Sequence, residues 1–490
     1  MKRLADLMTA LEPLQRRGNT DVVIRSVTDN SRSVEQGSLF AAIRGTTVDG
    51  HSFIEQAVAA GAVAVLCEVM PERLHPNVTY LQVPHSAEAL ARLAEAYYDF
   101  PSYHLTVVAV TGTNGKTTVA TQLYRLFSLL GYRCGLISTI ENRINDRVLE
   151  ATHTTPAAIT LSRLLSEMRE AACTYCFMEA SSHALDQNRI AGLRLAGGVF
   201  TNISHDHLDY HKTFDAYLKA KKKLFDGLPA EAFALVNADD ARASVMVQNT
   251  RATRYTYSLK GMADFRMNVL EQSLDGTLVR VEGREVYLRL IGSFNASNLL
   301  AVYAVARLLG VPAEPALQRL SELSPIAGRL QVIRGVSGGI TGIVDYAHTP
   351  DALEQVLQTL RQLVRRSGHL LVVVGCGGNR DREKRPLMAA VAARLADRVI
   401  LTSDNPRWED PQQILDEMMT GISVNDRQRV LTIVQRREAI RTAVALSQAG
   451  DVVLVAGKGH EPYQEIAGVR HPFDDWDELK KALEEKSMQC

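Results

Sequence analysis

The sequence predicts an α/β chain of three domains, the last of them a doubly wound parallel sheet. Three observations predict it. The chain has 490 residues, and roughly 150 residues per domain gives about three. A glycine-rich loop lies between a β-type run and an amphipathic helix close to residue 112. From Gly335 onward, short apolar runs alternate with helical segments, which implies right-handed βαβ crossovers. The expected boundaries are 1–102, 103–333 and 334–490.

Each domain has its own pattern. In the first, short strands (Val22–Val27, Ala62–Leu66, Tyr80–Val83) mix with helices (Phe53–Ala60, Ala87–Tyr98). In the second helix Leu90, Leu93, Ala94 and Tyr97 recur at helical spacing. Phe100-Pro101-Ser102 breaks the pattern. The second domain opens on a strand at Leu105–Val110, and Leu123, Leu126, Phe127 and Leu130 give the helix after the glycine loop one apolar face. Further strands are expected at Tyr175–Ala180, Gly198–Thr201, Ala232–Asn237, Thr277–Val281 and Glu285–Ile291. A helix over Ala296–Leu309 is expected to be capped by Asn295. In the third domain, strands at Ile340–Val344, Leu370–Val374, Arg398–Leu401, Val430–Ile433 and Val452–Ala456 are separated by helices. Their carboxyl ends, where such sheets bind ligands, carry four polar clusters: 345–350, 375–381, 403–407 and 457–461.

Composition excludes several classes. Lys+Arg 55 against Asp+Glu 55 gives no net charge, so no broad basic surface is available to track a nucleic acid. No apolar run reaches the roughly 18 residues of a membrane span. Asp6, Glu12 and Pro13 interrupt any signal-peptide core. These features predict a soluble cytoplasmic protein. Cys173 and Cys176 resemble half a zinc site, but no second pair completes it, and they are expected in the core.

Thr111-Gly-Thr-Asn-Gly-Lys-Thr-Thr118 is a phosphate loop of the P-loop type, with Ala109 where the full pattern has glycine. Its glycines let backbone N–H groups approach phosphate. Lys116 can bridge phosphate oxygens, and the Thr117 hydroxyl can ligate Mg²⁺. Glu179 ends a buried strand, residues 201–211 are dense in His and Asp, and Lys221, Lys222 and Lys223 open a helical stretch. Together on one nucleotide-binding domain they suggest a metal site.

With these segments in order, and with Gly292–Asn298, Asp345–Pro350 and Gly457–Glu461, the sequence resembles the Mur ligases over essentially its whole length. The resemblance implies an N-terminal UDP-sugar (UDP-MurNAc) domain, a central P-loop-type ATPase domain and a C-terminal Rossmann-like domain that receives the amino acid. It is to the class of member that adds the third peptide residue. The implied substrates are ATP, UDP-MurNAc-L-Ala-D-Glu and meso-diaminopimelate, with Mg²⁺ as cofactor and a monomeric enzyme without nucleic-acid or membrane partners.

By position, Ser31, Thr46, Thr47 and Val48 match contacts to the uridine nucleotide, and Thr154, Thr155, Ser181, Gln187 and Arg189 match the grip on the muramoyl-dipeptide. Gly112, Thr113, Asn114, Gly115, Lys116, Thr117, Thr118, Asn295, Arg329, Asp345 and His348 match the ATP site. Arg380, Asp404, Asn405, Pro406, Arg407, Gly457 and Glu461 match the diaminopimelate pocket. Lys116, Glu179, His207 and Lys221 are the expected catalytic set; Thr117, Glu179, His207 and Lys221, the last carboxylated, are the expected metal ligands. The triple-lysine run leaves Lys222 and Lys223 as solvated surface residues. Arg407 would recognise the carboxylate that distinguishes diaminopimelate from lysine; pairing with Glu409 or Asp410 is the competing role. The alternative activities are an L-lysine-adding homologue and a folylpolyglutamate-synthase-like ligase.

Overall fold

A computed structural model describes residues 1–45, 48–334, 339–364 and 368–488. The chain folds as two compact units. One comprises Met1–Gly112, Val119–Thr201 and Leu218–Thr256; the other comprises Thr113–Thr118, Asn202–Tyr217 and Tyr257–Cys490. The boundary crosses the phosphate loop at the Gly112–Thr113 bond.

Besides a short antiparallel pair of Lys2–Arg3 with Val23–Ile24, the first unit holds two larger sheets among the described residues. Strands β1 (Gln15–Arg17), β2 (Ser26–Thr28), β3 (Ser38–Ala41), β4 (Ala62–Cys67) and β5 (Thr79–Gln82) order as β1-β5-β4-β3-β2. All are parallel except the β1 edge. Alternate residues supply the two faces. Leu39, Ala64, Leu66 and Leu81 pack on helix α2 (Ser86–Tyr97), whereas Phe40, Val65 and Tyr80 pack on helix α1 (Ile54–Ala59).

The second sheet of this unit is centred on β6 (Thr106–Thr111), which leads through the phosphate loop into helix α3 (Lys116–Leu129). It adds β7 (Cys134–Ile137), the antiparallel pair β8 (Glu141–Ile144) and β9 (Arg147–Glu150), helix α4 (Ala158–Glu170) and β10 (Tyr175–Glu179). Helix α5 (Ser182–Asp186), β11 (Gly197–Phe200), helix α6 (Phe214–Asp226), β12 (Phe233–Asn237) and β13 (Thr253–Ser258) follow. Strand β6 lies between β10 and β11, parallel to both. Val107 to Val110 are fully buried, as expected for a strand covered on both faces. Cys176 is buried in β10, where desolvation pushes its thiol pKa well up.

In the second unit, β14 (Phe265–Ser273), β15 (Gly276–Val281) and β16 (Arg284–Leu288) form an antiparallel ribbon followed by helices α7 (Ser293–Leu308) and α8 (Ala313–Glu322). Helix α7 corrects the expected start. Gly292 takes the N-cap position with φ +93, and Asn295 lies within the first turn, its amide donating to Ile291 O at 2.9 Å.

The remaining elements are β17 (Gln331–Arg334), β18 (Thr341–Asp345), α9 (Pro350–Leu363), β19 (Leu370–Val374), α10 (Lys384–Leu395), β20 (Arg398–Thr402) and α11 (Pro411–Met419). They continue through β21 (Val430–Ile433), α12 (Arg436–Leu446), β22 (Val452–Ala456), the hairpin β23 (Tyr463–Ile466) and β24 (Val469–Pro472), and α13 (Asp475–Ser487). The sheet order is β17-β18-β22-β19-β20-β21, parallel apart from β17. Leu370, Val372 and Val374 face α9, α10 and α11; Leu371 and Val373 face α12 and α13. Apolar residues at both parities are what a sheet with helices on both sides requires, so the doubly wound prediction holds.

Candidate active site

In the second unit the phosphate loop is held by its neighbours. Thr113 N–H donates to Asn202 O at 2.8 Å, and Asn114 N–H donates to Asn202 Oδ1 at 2.9 Å. The Asn202 amide returns a bond to Asn114 O at 3.0 Å. Gly115 has φ +87, and a Cβ there would come 2.5 Å from Asn298 Oδ1; only glycine fits this turn. Lys116 Nζ donates to Thr113 O at 2.8 Å, which curls the amine over the loop. Arg329 Nη2 donates to Thr117 Oγ1 at 3.4 Å, and its guanidinium lies 4.5 Å from the Tyr346 ring centre. The Asp345 carboxylate accepts from Leu330 and Ala347 N–H, both at 2.7 Å. It therefore fixes the turn that aims Arg329. Thus Lys116, Thr117, Arg329 and Asp345 are brought together around one loop.

The loop also faces two carboxylates, Asp206 and Asp351, to which the sequence alone gives no role. Burial would raise Asp206, but His207, His348, Lys116 and Lys384 outweigh it and hold its pKa below the carboxylate range. His207 adopts φ +54, with Nε2 3.4 Å from Asp206 Oδ2. Burial lowers His348 to about 4, so it is neutral near pH 7. Asp351 accepts from Asn114 Nδ2 at 3.1 Å and Ser204 Oγ at 2.9 Å.

The first unit gathers a second group. Glu179 is fully buried at the end of β10, and its Oε1 accepts from Thr139 N–H at 2.7 Å. Thr155 Oγ1 donates to Glu179 O at 2.8 Å and accepts from Ser181 N–H at 3.1 Å. Arg189 Nη1 donates to Thr155 O at 2.7 Å, and Gln187 Oε1 accepts from Arg189 Nη2 at 2.7 Å. Thr139 donates to Thr154 at 3.0 Å. The five residues expected to grip the muramoyl-dipeptide therefore form one network around Glu179.

Lys221 is almost fully buried and its Nζ donates to Gly112 O at 2.6 Å. Its neighbours split. Lys223 is exposed beside Asp186, as expected, but Lys222 is buried against Asp226 on the next helical turn, which corrects its reading as a solvated residue. On the N-terminal sheet, Ser31 starts a short turn capped by Asn30 and donates to Gln56 Oε1 at 3.4 Å. Val48 is exposed; Thr46 and Thr47 lie outside the described residues.

Among the described residues no three His, Cys, Asp or Glu side chains form a ready metal cage. Mg²⁺ sites take one or two carboxylates and complete their shell with water and substrate phosphates. Glu179, the Thr117 hydroxyl and the His207 imidazole are donors of that sparse kind.

The C-terminal rim is the most tightly built part. Lys458, fully buried, donates to Asn405 Oδ1 at 3.0 Å and Glu461 Oε2 at 3.1 Å; Asn405 Nδ2 also donates to Glu461 Oε2, at 2.7 Å. Asn405 O accepts from Gly378 N–H at 2.9 Å. Gly457 packs so closely that a Cβ would come 2.7 Å from Asp404 Oδ2. Arg407 Nη1 donates to Gly378 O at 2.7 Å and Nε lies 3.4 Å from Glu465 Oε2. Neither competing partner claims Arg407. Asp410 caps α11, and Glu409 is drawn to about 2 chiefly by its hydrogen bonds from Arg385. Arg380 stands exposed in the adjacent loop. Lys458 and Arg436 were missed. Arg436, fully buried, donates to Ala456 O at 2.9 Å and pairs with Asp475 at 2.7 Å, anchoring the rim from beneath.

A phosphate loop on one sheet and a charged rim on a doubly wound one define an ATP-type ligase architecture, and the chain belongs to the Mur ligase family. Residues 23–98 match the Mur ligase family catalytic domain, 110–306 the Mur ligase middle domain and 328–459 the Mur ligase glutamate ligase domain. The chain is similar to the UDP-N-acetylmuramoyl-L-alanyl-D-glutamate–2,6-diaminopimelate ligase of Cytophaga hutchinsonii, 53% identical over 98% of this chain and 99% of that protein. The ligase of the same name from Bacteroides fragilis is 52% identical over 98% and 99%. A solved structure carrying that name superposes with a TM-score of 0.70 at 36% identity, covering 99% of both chains.

Proposed function

We infer that the protein is an ATP-dependent acid–amino-acid ligase. It joins meso-2,6-diaminopimelate to the D-Glu γ-carboxylate of UDP-MurNAc-L-Ala-D-Glu, in synthesis of the peptidoglycan precursor. One observation carries the choice of amino acid. The rim presents a guanidinium, Arg407, and a carboxylate, Glu461, at the ends of strands β20 and β22, linked through Gly378, which accepts from Arg407 and donates to Asn405, and through Asn405, which donates to Glu461. That is the charge pattern a second amino-acid centre would satisfy, and lysine lacks the carboxylate Arg407 would hold.

A carboxylate does not acylate an amine in water, so it must first be activated. The γ-carboxylate of D-Glu attacks the γ-phosphorus of ATP, releasing ADP and forming an acyl phosphate. The uncharged diaminopimelate amine then attacks the acyl carbon, its nitrogen gives up a proton to solvent, and the C–O bond to phosphate breaks as phosphate leaves the tetrahedral intermediate. Loop N–H groups and Lys116 neutralise the phosphates, with Arg329 beside Thr117; catalysis is mainly positioning and charge stabilisation. Thr154, Thr155, Ser181, Gln187 and Arg189 orient the dipeptide, and Asn405, Arg407 and Glu461 orient the amine donor. When bound, Mg²⁺ supplies further charge neutralisation at the phosphates; Thr117, Glu179, His207 and carboxylated Lys221 are the residues we assign to it.

The domain assignment follows the same division: residues 1–102 for the UDP-sugar, 103–333 for ATP and 334–490 for the amino acid. A reaction consuming ATP and a UDP-sugar belongs in the cytoplasm, and among the described residues no helix is long and apolar enough to cross a membrane. The test is phosphate release from ATP. It should require the UDP-muramoyl-dipeptide and meso-diaminopimelate together. Release with either alone, or equal turnover with L-lysine, would overturn the assignment.

A further inference from the structure

Arg407 reaches the rim with φ +52, a left-handed conformation that residues with a Cβ avoid, so its neighbours must hold it there. The β23–β24 hairpin does so. Arg407 N–H donates to Glu465 O at 3.0 Å, and Arg407 O accepts from Ala467 N–H at 2.6 Å. Glu465 N–H donates to Asn405 Oδ1 at 2.9 Å, and Gln464 Nε2 donates to Asp404 O at 2.7 Å. Trp408, 73% exposed, lies over the hairpin turn: a Cβ on Gly468 would come 2.6 Å from its indole Cζ2.

The hairpin is weakly self-supporting. Its two-residue turn, Ala467-Gly468, has φ +49 and +78. That is the type I′ pattern, whose first position favours Asn, Asp or Gly over Ala. Val469 to Pro472 are exposed, and a two-stranded ribbon without a buried face is marginal alone. Turn and hairpin therefore hold each other.

We propose that the β23–β24 hairpin is a positioning element for the amino-acid substrate, with Glu465 and Trp408 as its positioning residues. A guanidinium has five N–H donors in a rigid fork. Gly378 O takes one on Nη1 and the Glu465 carboxylate neighbours Nε, which fixes the plane and leaves the other donors for the distal carboxylate of diaminopimelate. Neither residue touches the substrate. This deepens the functional reading above and rests on it.

The test compares KM values of the full-length enzyme for its three substrates. Trp408→Ala and Glu465→Ala should each raise KM for meso-diaminopimelate at least fivefold. KM for ATP and for the UDP-muramoyl-dipeptide should stay within twofold, and kcat should change less than the diaminopimelate KM. Trp408→Phe and Glu465→Gln should recover part of the loss. Because the indole is largely exposed, Trp408→Ala should unfold at nearly the wild-type temperature. Unchanged diaminopimelate KM in both alanine variants, or equal loss toward all three substrates, overturns the proposal while the function stands. A wild type without diaminopimelate-dependent phosphate release overturns both.

Discussion

In the function proposed above, Arg407 is the side chain that would separate two amino acids differing by a single carboxylate. Hydrogen bonds to charged groups contribute about 1.5–3 kcal/mol each, so a bidentate pair discriminates by a factor of about a hundred or more. Arg407→Ala should lower kcat/KM for meso-diaminopimelate at least tenfold and leave KM for ATP within twofold, measured by coupled phosphate release. Lys221 makes a different prediction. An ammonium about 4 Å from Mg²⁺ costs roughly 8 kcal/mol at an effective dielectric of 20, twice the unit-charge value. CO₂ addition, as proposed for Lys221, would turn that amine into an oxygen donor. Carbon-13 bicarbonate should therefore give a carbamate resonance in the wild type and in Lys223→Ala, and none in Lys221→Ala; a signal surviving in Lys221→Ala would refute the assignment. Lys116 and Thr117 were legible because the chemistry of a phosphate loop fixes their spacing. Asn202 and Lys458 were not, since their roles are set by partners far along the chain. Asn202 meets Asn114 across 88 positions, and Lys458 meets Asn405 across 53.

Elements show the same division between local and distant causes. Leu370–Val374 and Val452–Ala456 are unbroken apolar runs, and a strand buried on both faces requires such runs; these were read with their bounds. Gln15–Arg17 is exposed throughout, Phe265–Ser273 buries only Met267 among exposed and half-buried residues, and the Tyr463–Pro472 hairpin has no buried face. None carries a strand signal of its own, and pairing with neighbours defines all three. Helix α7 began earlier than expected because Gly292, with its free backbone, took the cap position that Asn295 suits by residue type. The phosphate loop itself yields a sharp element-level prediction. Gly115→Ala places a methyl group against Asn298 in a left-handed turn. It should raise KM for ATP at least tenfold with KM for meso-diaminopimelate within twofold. An alanine variant with wild-type ATP kinetics would show that the loop relaxes around the methyl group.

Stability of the whole molecule should depend on pH in two windows. Burial lowers His348 to about 4 and His460 to about 3. Unfolding releases both to bind protons near 6.5. Their contribution is thus fully present above about 6.5 and declines as pH falls toward 4 and then 3. Glu409, held at about 2 chiefly by Arg385, adds a second loss that begins only below its ordinary value of about 4.3. The unfolding temperature should fall between pH 6.5 and 4.5, and a His348→Gln/His460→Gln double variant should flatten that window while leaving the steeper acid limb. A wild-type profile flat from 7 to 4.5 would contradict the buried neutral state. The Arg436–Asp475 pair has a consequence for how the molecule is made. The cation lies 39 residues ahead of its counterion. At about 5–20 residues per second it leaves the ribosome roughly 2–8 s early. Throughout that interval a guanidinium meant for a dry interior lacks the counterion it hydrogen-bonds, with only the charges of Asp404 and Glu461 acting on it, and breaking a buried ion pair by removing one partner costs about 3–5 kcal/mol. The C-terminal rim of the nascent chain is therefore expected to stay open until α13 arrives, and to be among the last features of the newborn protein to set.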